Sequence, residues 1–284
     1  MIRPAWLLAG PVFLSACTVG PEPEAPDLNS AASFENAIAI PERAIREDWY
    51  LAFEDPVLTE LVETALANNL DISAARATLD VSRANARAAR TTLLPSLDAF
   101  INGQLGGALA GDIDANSTLS GGLSMAFDPD IAGRNDRALE AARARVDAAA
   151  FSVLDVRRLV VQAVVLEYIS LRRAGSRLTL LDETLDLQAR TLEIVQARFD
   201  VGLSPALDVD RAAADLARSR AQRGQFEADR KRAAYALSVL TGLAPSSSAF
   251  DADYDAIPLL VGNPELGVPS DLLRNRPDVR RAEA

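Results

Sequence analysis

Apolar residues recur at helical spacing early in the chain, at Val57, Leu58, Leu61, Val62, Ala65 and Leu66. Asp55-Pro56 stands just ahead of them, an aspartate able to cap and a proline suited to the first helical position, so a helix is predicted from there. Asn68-Asn69 interrupts the run, and a second helical run, built from alanine and arginine, extends from Asp71 to about Leu94, where Pro95 ends it. After Pro95 the period changes to two. Leu97, Ala99, Ile101, Gly103 and Leu105 alternate with Ser96, Asp98, Phe100, Asn102 and Gln104. Beyond a Gly-rich loop, Leu119, Gly121, Leu123, Met125 and Phe127 alternate with Thr118, Ser120, Gly122, Ser124 and Ala126. The two runs predict a β-hairpin over 95–128. Each is about ten residues with one apolar face, which fits a transmembrane barrel strand and a soluble hairpin with one wet face equally well. Two strands are not stable alone, so more must come from elsewhere.

The helical period then returns for a long stretch. Residues 134–200 contain no proline and one glycine, Gly175, which predicts a helix of roughly 100 Å. Leu171, Ala174, Leu178, Leu181, Leu185, Gln188, Leu192, Val195 and Phe199 form a coiled-coil-like stripe, and Leu180, Leu187, Ile194 and Val201 form a second one on another side. Two stripes call for neighbours on both flanks, as in a bundle or a closed ring of helices. Val201-Gly202-Leu203-Ser204-Pro205 breaks the helix, with Gly202 as the stop and Pro205 as the first residue of a return helix over 205–241. So short a connection makes the two antiparallel neighbours. Residues 243–268, rich in Ser, Pro, Gly and Asp, read as a linker.

Composition narrows the chemistry. The chain carries 29 basic and 40 acidic residues and no histidine. An acidic chain does not suit nucleic acid, which needs a basic face. Without histidine there is no His-based metal site, no His acid/base catalysis and no Ser-His-Asp triad. The one cysteine, Cys17, rules out an intramolecular disulfide and a cysteine zinc cluster. Asp182, Glu183 and Asp186 near Arg190 read as i,i+4 surface pairs, and Arg230-Lys231-Arg232 as a solvated helix face. No catalytic residue, metal or cofactor is expected.

The N-terminus has its own pattern. Met1-Ile2-Arg3 is basic, and Ala5 to Leu14 is apolar over ten residues, too short to span a bilayer and suited to a signal peptide over 1–16. Leu14-Ser15-Ala16-Cys17 resembles the bacterial lipobox, which implies acylation of Cys17. Thr18, in place of aspartate, implies the outer membrane. Pro21, Pro23, Pro26 and Pro41 then make 17–54 an extended tail.

A segment from Ala65 to Ala77 is echoed at the chain's end at an offset of 207 residues, with Leu66/Leu273, Asn68/Asn275, Asp71/Asp278, Ala75/Ala282 and Ala77/Ala284 identical. This predicts a duplicated unit, with the first repeat over 55–242 and the start of a second over 269–284. Ending inside that second unit, the chain is expected to be less than a complete protomer.

Several segments together resemble one known family. They are Cys17-Thr18-Val19-Gly20-Pro21, Phe127-Asp128-Pro129-Asp130-Ile131-Ala132-Gly133-Arg134, Val201-Gly202-Leu203, and Val268-Pro269-Ser270-Asp271-Leu272-Leu273 with Arg276-Pro277-Asp278-Val279. They resemble the TolC-like outer membrane efflux proteins, especially the OprM/NodT-type lipoproteins. At 127–134 the family usually shows Trp-Glu-Leu/Ile-Asp-Leu-Phe-Gly-Arg, so the junction of strand and long helix is expected to pack differently here. The resemblance implies a mainly α fold with a β-hairpin: long antiparallel helices of a helical barrel plus two strands of a transmembrane β-barrel. It implies a homotrimer in outer membrane lipid, extending into the periplasm. It also implies a passive exit duct served by a periplasmic adaptor and an inner-membrane pump. Val201, Gly202 and Leu203 would be the tip that contacts the adaptor, although an ordinary helix stop needs no more than the glycine. Asp208 would lie at the periplasmic gate, although acids in a helix's first turn are favourable for the dipole alone. The alternative is a periplasmic adaptor or scaffold lipoprotein built on a helical hairpin, which has no use for the two alternating runs.

Overall fold

Helix α1 (Pro56–Asn68) starts where Asp55 covers two free backbone N–H groups. Its Oδ1 accepts from Val57 N at 2.9 Å and from Leu58 N at 3.1 Å. Pro56 stands in the first turn, where its missing N–H is no loss. A computed structural model describes residues 48–106, 116–245, 250, 256–261 and 273–284. The signal peptide, Cys17 and nearly all of the expected tail lie outside the described residues, as do the loop 107–115, most of the linker and residues 269–272.

Asn69 ends α1 with extended backbone and opens α2 (Leu70–Thr91). Its Oδ1 accepts from Asp71 N at 2.9 Å and Ile72 N at 3.2 Å. The sequence marks this pair of asparagines as an interruption; in the structure Asn69 is a buried hinge post. Helix α2 stops at Thr91, short of Leu94, because Thr92, Leu93 and Leu94 each donate to the carbonyl three residues back, tightening the last turn ahead of Pro95.

Strands β1 (Ser96–Gly106) and β2 (Asn116–Ala126) pair antiparallel, with Ser96 opposite Ala126 and Gly106 opposite Asn116. Helix α3 (Arg134–Asp200) then runs for 67 residues. Helix α4 (Ala206–Leu240) returns. Pro205 has extended backbone, φ −74° and ψ 153°, and so caps α4 from outside; the helix begins one residue later than the sequence suggests. Short α5 (Pro277–Glu283) closes the described chain. Among the described residues no helix is long and apolar enough to cross a bilayer.

Two compact units divide the described residues. One holds 78–149 with 283–284, the other 48–77 with 150–282, and α2 and α3 each pass through both. The second unit holds the main core. Leu58, Val62 and Ala65 of α1 and Ile72 of α2 pack with Val160, Val161, Val164, Val165, Tyr168 and Leu171 of α3 and with Ala233 and Leu237 of α4. The three- and four-residue spacings on each helix gather these side chains on one face. Full burial of side chains like Leu58 and Leu237 stabilises the unit by roughly 1.5–3 kcal/mol each.

A buried polar cluster lies against the core. Asp55 Oδ2 accepts from the Tyr168 hydroxyl at 2.7 Å and from Arg172 Nη2 at 3.1 Å, and Arg172 Nε donates to the same hydroxyl at 2.9 Å. Burial works against the Asp55 carboxylate, but the hydrogen bonds from Tyr168, Leu58 N and Arg172 outweigh it and hold its pKa below the ordinary value. Burial, with the neighbouring carboxylate, pushes the Tyr168 hydroxyl up.

Near the chain's end the pattern of helix, break and helix recurs. A helical turn at 273–275 is followed by a break at Arg276 and then by α5. Here an ion pair replaces the asparagine cap. Arg276 donates to Asp278 through Nε at 3.0 Å and Nη2 at 2.6 Å, holding the Asp278 carboxyl down at about 2. Arg280 lies 4.3 Å above the Phe151 ring centroid, which seats α5 on α3.

Candidate functional site

Two features present themselves to the outside, one in each unit. The first is the turn between α3 and α4. Leu203 N donates to Arg198 O and Gly202 N to Phe199 O, both at 2.8 Å, the paired bonds of a Schellman stop. Gly202 takes φ +77°, and a Cβ there would meet nothing within 4 Å. Val201, Leu203 and Leu207 are exposed around it, at 69%, 78% and 55%. Asp208 stands half-buried in the first turn of α4, with Arg211 one turn on at 4.0 Å. The structure thus brings Val201, Gly202, Leu203 and Asp208 into one turn.

The helices behind this turn are tied by charge. Asp182 accepts from Arg223 across the α3–α4 contact, and Arg223 also holds Glu227 at 2.9 Å. Asp182, expected to pair within its own helix, thus bonds to the neighbouring helix. Arg177 stacks over Phe226, 5.7 Å from the ring centroid, in the same contact. Arg232 pairs with Asp229 at 3.0 Å, in keeping with a solvated face. The two stripes of α3 separate. Leu171, Ala174 and Leu181 of the first are buried, whereas Leu180, Leu187 and Ile194 of the second remain 57–67% exposed.

The second feature is the hairpin and its junction with α3. Leu97, Ile101, Leu119, Leu123 and Met125 share one face and are 69–82% exposed. The register sets Leu97 opposite Met125 and Ala99 opposite Leu123 on it. Ser96, Asp98, Asn102, Gln104, Thr118, Ser120 and Ser124 occupy the other. At the junction, Asp128 Oδ1 accepts from Asp130 N at 3.0 Å, and Asp130, at φ 47°, sends Oδ2 to Asn135 N at 2.8 Å and Asp136 N at 3.1 Å. Asp130 thereby caps α3 from three residues before Gly133, which has no side chain to do so. The capping Asp130 coincides with the aspartate of the family's usual run, whereas Asp128, which braces the turn by accepting from Asp130 N, stands where that run has glutamate. Asp130→Ala should cost about 1 kcal/mol and fray the start of α3. Faster amide exchange at Asn135 and Asp136, with exchange at Val164 unchanged, is the expected reading.

Asp130, Asn69 and the Tyr168–Arg172 pair all escaped the sequence reading. Only Asp130 carried a usable signal, an Asp-Pro-Asp run ahead of a glycine and a long helix.

Similarity to known proteins agrees with this geometry. The sequence profile of the outer membrane efflux protein family matches residues 61–243. Nodulation protein T of Rhizobium leguminosarum bv. trifolii is 30% identical over 278 residues, covering 96% of this chain and 59% of its own. The toluene efflux pump outer membrane protein TtgF of Pseudomonas putida is 29% identical over 246 residues, covering 83% of this chain and 50% of its own. A solved structure of the outer-membrane channel OprN superposes with a TM-score of 0.82 at 29% identity, covering 94% of this chain and 61% of OprN. The chain thus spans between about half and six-tenths of these relatives' lengths. TtgF is an efflux pump outer membrane protein and OprN an outer-membrane channel, which favours the channel reading over that of a periplasmic adaptor or scaffold. The matched stretch runs from α1 through the hairpin and both long helices, and the chain belongs to the outer membrane efflux protein family.

Proposed function

We propose that this chain forms part of the wall of a passive export duct in the outer membrane. The observation that carries this reading is the hairpin: two 11-residue strands with an exposed apolar face on one side and a polar face on the other, leading into a 67-residue helix. Strands of that length and pattern fit the bilayer's hydrocarbon layer, with the apolar face toward lipid and the polar face toward a water-filled interior. The open stripe of α3, Leu180, Leu187 and Ile194, suits a neighbouring helix in a ring built by three copies. No step of chemistry is needed from the chain. Energy and the first choice of solute would come from an inner-membrane pump, joined through a periplasmic adaptor.

In this assembly the turn at Val201, Gly202 and Leu203 supplies the adaptor contact, because its exposed apolar side chains sit on a rigid Schellman turn. Asp208 contributes negative charge near the periplasmic mouth, with Arg211 beside it. Cys17 carries the acyl anchor, each buried methylene adding about 0.8 kcal/mol to the hold on the membrane.

Single cysteines at Ile101 and Asn102 test the hairpin, introduced into the natural protein in outer membranes. Asn102→Cys should react with a water-soluble maleimide. Ile101→Cys should resist it and react with a lipid-soluble one. Equal reaction of both with the water-soluble reagent would overturn the barrel reading.

A further inference from the structure

One residue breaks the polar face of the hairpin. Phe100 lies on the side of Asp98, Asn102 and Gln104, away from the lipid-suited residues, and is the one large apolar side chain on that face of the two strands. Its cross-strand partner is Gly122. A Cβ on Gly122 would fall 2.9 Å from the Phe100 Cζ, so the ring occupies the space that any other residue's side chain would need. The ring therefore lies across the opposite strand and does not project outward. Even so, it stays 45% exposed, offering its surface to the solvent side. Asp98, two residues before it on the same face of β1, is exposed and makes no ion pair among the described residues.

An aromatic face carries negative quadrupole charge, and a carboxylate beside it adds a full negative charge. Together they attract a solute that is both cationic and apolar, while a ring laid flat leaves the bore open. We propose that Phe100 and Asp98 form a contact plate for amphipathic organic cations on the inner wall of the duct, a specificity-determining element within the barrel. This rests on the export-duct reading above.

The test uses the natural channel assembly, purified from outer membranes and reconstituted in planar bilayers. The probes are benzyltrimethylammonium and tetramethylammonium, equal in charge and different in their aromatic face. In the parent, the benzyl probe should interrupt the current at a concentration about three- to fivefold lower than the tetramethyl probe. Phe100→Leu keeps an apolar cover over Gly122 without a ring and should bring the two probes to equal potency. The exchange Phe100→Gly with Gly122→Phe returns a ring to the same face and should restore the difference. Equal potency of the two probes in the parent would overturn the proposal, as would a difference that survives Phe100→Leu. A merely structural role for Phe100 would lower assembly stability and leave the probe ratio unmoved. Failure of the export-duct reading shows separately, as equal water-phase labelling of the Ile101 and Asn102 cysteines.

Discussion

Asp55→Ala is expected to destabilise the protein by about 3–5 kcal/mol, because it removes one side of a buried charge pair. Asp55 and Arg172 expose only 10% and 14% of their side chains. Without the carboxylate, the Arg172 guanidinium keeps the cost of burial and loses its counter-charge. Tyr168, fully buried, loses the acceptor for its hydroxyl, and α1 loses its cap. Asp55→Asn keeps one oxygen, which can cap α1 but leaves an NH2 group facing Tyr168 and Arg172 in place of their acceptor, so it should fall between the parent and the alanine variant. The pH dependence follows from the sign of the shift. The Asp55 carboxyl titrates lower in the folded chain than in the unfolded one. Its contribution is then complete above the unfolded value, near pH 4, and is lost as the pH falls through the lower folded value. Urea unfolding of both variants between pH 3 and 7 measures these effects. An acid limb as steep in Asp55→Asn as in the parent would assign the acid sensitivity to another carboxylate.

Gly242→Ala should be about 2–4 kcal/mol destabilising, and Gly202→Ala only about 1–2 kcal/mol. Both glycines take φ +77° at the end of a long helix, and both sit in a Schellman stop. The backbone penalty for a side chain is common to the two. Their surroundings differ. At Gly202 the added methyl meets open space, whereas at Gly242 it would lie 2.9 Å from the Asn68 carbonyl oxygen and 3.2 Å from the Asn68 Cβ. That approach places the end of α4 against the α1–α2 break, where Asn69 Nδ2 donates to Leu240 O at 3.0 Å. A methyl at 242 would push the two apart and strain this bond. Thermal unfolding of the two variants side by side separates the shared term from the packing term. Equal losses would mean that the α4 end yields without cost.

The elements were legible wherever one period ran unbroken. The alternation at Leu97–Leu105 and Leu119–Phe127 announced the two strands, and the stretch without proline from Asn135 to Asp200 announced α3. Local stops were legible too, because Gly202 and Gly242 follow the last helical residues as αL glycines do. What escaped were contacts between residues far apart in the chain. Tyr168 reads as one more apolar position of a heptad, and nothing near it shows that its hydroxyl meets Asp55, 113 residues earlier. Asn69 reads as a helix breaker, and its bond to Leu240 spans 171 residues. Asp182 has Arg190 nearby in sequence but finds Arg223 in space, since the turn of α3 into α4 brings that arginine alongside. The turn at Val201–Leu203 was visible as a break, and the exposure of Val201, Leu203 and Leu207 around it only in the fold.

The hairpin's two outer edges differ. One is the free side of β1 and the other the free side of β2, and between them they carry different residues at every level. In the duct proposed above every hairpin points the same way, so extending the sheet in alternating strand direction joins the β2 edge of one hairpin to the β1 edge of the next. Such a joint is head-to-tail and cannot satisfy itself by pairing two copies about a two-fold axis. It repeats around a ring until the last edge finds the first. Closure is then a property of the whole circle, so a single hairpin with a blocked edge, as by a proline there, spoils the circle for its intact neighbours. In a cell making parent and blocked chains together, the defect would be dominant.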